Sequence, residues 1–133
     1  MKKIIISVLL AMSFSATADQ IIDTTTARLR LVDAMENYLL ITDNIKPQYR
    51  SFSYTVANDT VEKLVNPLLG AISKAVNEGY SCEVITASFA TNNFAPMIRG
   101  KVETATPAAK ENAEKLISAF TVYTLTSCVN LTK

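Results

Sequence analysis

The chain has 133 residues, about half of them apolar, with 13 basic and 12 acidic side chains, two cysteines and no histidine. With only three glycines and four prolines, that composition excludes a disordered or low-complexity chain, and the length is that of one ordinary domain. The even charge balance, with the signs interspersed, offers no basic stripe of the kind that marks a nucleic-acid or anionic-lipid partner.

Residues 1–18 read as a secretory signal peptide. Lys2 and Lys3 lead an apolar run from Ile4 to Met12, which closes on the small residues Ala16, Thr17 and Ala18. The run is well short of the roughly 20 apolar residues that a bilayer span requires. Cleavage is expected after Ala18, and no cysteine stands there to take a lipid. Losing two lysines takes the balance from 13 against 12 to 11 basic against 12 acidic. Residues 19–133 are expected to form a single helical domain, periplasmic or secreted and not inserted in a membrane.

Beyond the leader, Asp23 and three threonines precede Leu31, Val32, Met35, Tyr38 and Leu39, which recur at helical spacing. Short oxygen-bearing side chains at the start and an apolar stripe behind them predict an amphipathic helix. The next stretch, from Pro47 to Val56, is ambiguous. Tyr49, Phe52 and Val56 suit a helix, while Phe52, Tyr54 and Val56 alternate as a strand would, and helix is the preferred reading. From Val61 to Val76, apolar residues fill the helix template at Val61, Leu64, Val65, Leu68, Leu69, Ile72 and Val76. Asn58 or Asp59 is the expected cap, Gly79 the left-handed stop, and Pro67 a kink on the polar side.

Past Gly79, Cys82, Ile85 and Phe89 share a helical face, with a strand as the alternative. The following TNNFAPMIRGK is read as a turn region, punctuated by Pro96 and Gly100. A final helix is predicted to start at the Thr106 cap with Pro107 in the first position. It carries Ala113, Leu116, Ile117, Phe120, Thr124 and Cys128 on its inner face, with Lys110–Glu114 and Glu111–Lys115 as outer pairs. Its threonine-rich TVYTLTS has strand propensity that packing is expected to override. The sum is an all-α, single-domain antiparallel bundle of about four helices.

In an exported chain, two cysteines and no third imply one disulfide, Cys82 to Cys128, tying two helices together. The separation is too long for a C-x-x-C redox motif. Without imidazole there are too few ligands for a structural zinc site, and neither a Ser-His-Asp nor a Cys-His arrangement can be assembled. No glycine-rich phosphate loop exists. Asp33 and Glu36 could in principle flank a glycosidic bond, but a solvated helix face is the expected role. No catalytic residue, metal or cofactor is therefore assigned, and the chain is read as a non-enzyme.

Tyr49, Arg50, Phe52 and Tyr54 have the residue types enriched at protein interfaces, as do Phe94, Met97 and Arg99. For the first cluster, the expectation set against binding is that Phe52 and one tyrosine pack into the core while Arg50 is solvated. The leading functional expectation is a small exported protein-binding module, such as an inhibitor or immunity protein acting on an exported enzyme or toxin. The alternatives are a periplasmic carrier or sensor of a small apolar ligand, or a periplasmic stress chaperone.

Overall fold

The computed structural model describes residues 23–133; the signal peptide expected at residues 1–18 lies outside them. Every regular element among the described residues is helical. Helix α1, Thr24–Ile41, starts where the Asp23 carboxylate accepts the Thr26 N–H at 2.7 Å. That bond holds the carboxyl below its ordinary pKa. Ala27, Leu31, Val32, Met35 and Tyr38 are buried along one face, close to the predicted stripe.

The ambiguous stretch is helical, as preferred. A 310 turn, Pro47–Phe52, runs directly into α2, Ser53–Asn77. The expected cap at Asn58 or Asp59 is overturned, because α2 begins before either residue. Asn58 instead accepts a hydrogen bond from the Arg28 guanidinium of α1 at 2.8 Å. α2 continues through Pro67, which is exposed on the outer side. Leu69, assigned to the inner stripe, is exposed. The stop at Gly79 is as predicted: its φ is +93°. Gly79 N–H reaches the Val76 carbonyl and Tyr80 N–H the Ala75 carbonyl, at 3.0 and 3.2 Å, the paired bonds of a left-handed helix terminus.

The predicted turn after Phe89 is a correction. α3, Cys82–Thr86, passes without a break into a π-helical segment, Ala87–Phe94, and on into α4, Ala95–Lys101. The reason is local. Pro96 has no N–H, and its ring obstructs the carbonyl four residues back. A wider turn just before it accommodates the ring, with the Ala95 N–H bonded to the Ala90 carbonyl. The inner face runs on through this segment, from Ile85 and Thr86 to Ala90 and then to Phe94. Phe94 stacks on Phe120, ring centroids 4.0 Å apart.

Helix α5, Pro107–Leu131, starts at Thr106, whose hydroxyl accepts the Ala109 N–H at 3.1 Å. Its threonine-rich end is helical, as expected. Thr121 and Thr124 donate their hydroxyls to the carbonyls of Ile117 and Phe120, four residues back, satisfying groups that would otherwise be buried bare. Cys82 and Cys128 form the expected disulfide, Cα atoms 5.7 Å apart.

Three pairings fix the directions. Arg28 meets Asn58 and Glu36 meets Ser53, so α1 and α2 are antiparallel. Asn130 reaches Thr24 across 2.6 Å, so α5 runs back along α1. The disulfide and the Arg99–Glu114 ion pair lay the 82–101 rod antiparallel to α5. The result is an all-α antiparallel bundle of four rods around one contiguous core. Its two ends differ: the disulfide and the start of α1 share one end, and the end of α1 with the start of α5 make up the other.

Candidate functional site

The site is built at the end away from the disulfide, where α1 stops. Thr42 caps α1 by donating its hydroxyl to the Tyr38 carbonyl at 2.7 Å, and Asn44 donates its side-chain amide to that hydroxyl at 2.7 Å. Asp43 takes the left-handed conformation, φ 56°, which aspartate tolerates better than most residues. Ile45 is buried and pins the loop. The chain then enters the 310 turn through Lys46 and Pro47, and none of the turn's residues is buried.

Tyr49, Phe52 and Tyr54 are 51%, 59% and 48% exposed. The expectation that Phe52 and one tyrosine pack into the core is thus overturned. The burial at this point falls instead to Ser53, whose hydroxyl donates to Glu36 of α1 at 2.5 Å, and to Ala57. Those two inward residues hold the start of α2 against α1 while the aromatics flank them facing water. Arg50 is half exposed and pairs with Asp43 at 3.1 Å, which ties the aromatic turn to the loop after α1.

Asp43 also lines an open cleft of about 520 Å³. Tyr38, Ile41 and Asn44 from the α1 end, Lys101 and Val102 from the end of α4, and Thr106 and Ala109 from the start of α5 form its walls. Aromatic turn and cleft are therefore neighbours, joined by the Arg50–Asp43 pair. The sequence singled out the aromatic turn. The cleft was not legible there, since its walls come from two stretches, 38–44 and 101–109, far apart in the chain.

The second aromatic and basic cluster is divided by the fold. Phe94 is buried in the core, Met97 is exposed, and Arg99 grips Glu114 through two bonds of 2.7 and 2.9 Å. This grip displaces the expected Lys110–Glu114 pair; Glu111–Lys115 forms as predicted, at 3.4 Å. Arg99 holds the Glu114 carboxyl below its ordinary pKa. Asp33 is exposed and Glu36 serves Ser53, and neither lines the cleft. Among the described residues, no group of three His, Cys, Asp or Glu stands where a metal could be held. No helix there is long and apolar enough to cross a membrane.

Comparison with protein-family models, with curated proteins and with solved structures returned no match.

Proposed function

We propose that the protein is an exported binding module that acts by contact on another protein, in the manner of an inhibitor or immunity factor directed at an exported enzyme or toxin. The observation that supports it is the aromatic turn. Tyr49 and Phe52, on a 310 turn with no buried residue, and Tyr54, in the first turn of α2, are all about half exposed, although a folded domain of this size has core in which to place them. Clustered exposed aromatics beside an arginine match the anchors of protein interfaces. The disulfide supports the exported location, because such bonds persist in oxidising compartments.

The test is a photo-crosslinking amino acid placed at Tyr49 or Phe52, with Val84, equally exposed on another face, as the control. A crosslinked species of one mass, obtained in the producing cells from positions 49 and 52 and not from 84, is the expected result. Identical products from all three positions, or none, would count against the reading. Added in excess, the unmodified protein should suppress the crosslink and a variant with alanine at Tyr49, Phe52 and Tyr54 together should not, while each single change shifts stability by no more than about 0.5 kcal/mol.

A further inference from the structure

Charge is missing from one side of the molecule. Residues 84–98 of the 82–101 rod carry no acidic or basic side chain, and neither do residues 116–132 of α5. The two runs lie side by side and antiparallel, fastened by the Cys82–Cys128 disulfide at one end and by the Arg99–Glu114 ion pair at the other. On α5, Glu114, Ser118, Thr121, Leu125 and Cys128 recur at intervals of four and three residues, which sets Ser118, Thr121 and Leu125 on the side towards the rod, between the two ties. Ser118 is exposed, and Thr121 and Leu125 are partly so; on the rod, halfway between the ties, Thr91 is exposed.

Charged residues ordinarily make up about a quarter to a third of a soluble domain's surface, and they are depleted where an interface has its core. The extent of the face is also that of an interface. At 1.5 Å per residue and two helices wide it measures about 25 by 20 Å, which with side-chain relief approaches the roughly 800 Å² that each partner gives to a specific contact.

Such a face fits a second copy of itself. A twofold axis uses the same patch on both copies, so a charge near the axis meets its own like; a patch with none escapes that repulsion, and it offers an unrelated partner no charge to select. The border charges agree. Glu83 follows the disulfide on the rod, Lys133 follows α5 at the same end, and neither has an opposite charge within 4.0 Å among the described residues. A twofold along the rods lays the rod on the partner's α5, bringing Glu83 to the partner's Lys133 and Arg99 to the partner's Glu114. A twofold across the rods brings Glu83 to the partner's Arg99 and Lys133 to the partner's Glu114. Neither sets like on like, and the first joins the two unspent charges.

We propose that the uncharged face of the rod and α5 is the contact between two copies of the chain, in a twofold dimer. The aromatic turn lies on neither element and stays free, so the dimer and the binding role of that turn stand or fall separately.

The experiment is analytical ultracentrifugation of the oxidised protein and of variants at the middle of the face. Twice the chain mass is expected at about 100 μM, since contacts of this size hold at micromolar affinity or better. Thr91→Lys with Ser118→Lys should weaken association at least about tenfold, and so should Thr91→Glu with Ser118→Glu, because each copy then repels its twin. Mixing the two variants, both shown to be folded by their circular dichroism melts, should restore the double mass as a lysine copy meets a glutamate copy. Unaltered protein that stays monomeric at about 1 mM, far above useful affinity, would overturn the proposal, and that measurement needs no variant to fold. So would double mass kept by both variants, or a mixture of them that remains monomeric. Dilution of the unaltered protein from about 1 mM to about 10 μM, a range that spans micromolar dissociation, should move amide signals of residues 84–98 and 116–132 and leave those of 47–54 in place. Movement confined to other residues would place the contact elsewhere and refute this one.

Discussion

Gly79 shows how one backbone angle sets the course of the chain. At φ +93° it terminates α2 and turns the chain towards Cys82, and a Cβ added there meets nothing within 4 Å. Gly79→Ala therefore tests conformational strain without a clash, and it should lower stability by about 1 kcal/mol, read from a denaturant midpoint. Glu114 offers a second single-residue test. Because Arg99 holds its folded-state pKa below the ordinary 4.5, its contribution is fully present above that value and is lost as pH falls through the lower folded value. Both side chains are more than half exposed, so screening limits the pair to about 0.5 kcal/mol. Glu114→Gln should flatten the acid limb of the stability profile by that much, and about 1 M salt, where the screening length falls to roughly 3 Å, should remove most of the difference. The choice of partner was not legible in the sequence. Lys110 stands four residues away on the same helix and local spacing favours it, whereas Arg99 arrives only once the 82–101 rod has folded back.

Among the elements, the 82–101 rod departs furthest from its sequence reading, and for an identifiable reason. Asparagines, a proline and a glycine are the residues of turns, yet here the proline is absorbed by a wider helical turn instead of ending the helix. The consequence is that Phe94, assigned to a surface cluster, faces inward on Phe120. Phe94→Ala should cost about 3 to 5 kcal/mol, by lost burial plus the cavity left behind, and calorimetry would measure it. A loss below about 1 kcal/mol, the range of surface positions, would place the ring outside the core. By contrast, α1, α2 and α5 were legible because their apolar residues recur at the helical period over many turns. Even there the start of α2 was missed. The 310 turn ahead of it buries nothing, so no hydrophobic pattern could reveal it.

For the whole molecule, the bond between Cys82 and Cys128 closes a loop spanning 46 residues, and this staples one end of the bundle. By the loop-entropy relation it contributes about 4 kcal/mol, and reduction should lower stability by that order, measured in denaturant with and without a thiol reductant. Class, core and covalent link were legible from composition, periodicity and the count of cysteines. The cleft was not, since opposing walls meet only after α1 and α5 have packed side by side.

That staple has a bearing on how the chain fails. From Thr121 to Val129 the sequence carries no charge and no proline, and it is crowded with threonine, valine and tyrosine, residues that prefer an extended backbone. Only packing and the covalent tie hold it as a helix. Once reduced and loosened, it has the composition of an amyloid-forming segment. The reduced chain should convert to thioflavin-binding fibrils on warming while the oxidised chain stays clear, so a cell that makes this protein must oxidise it before the freed segment can nucleate.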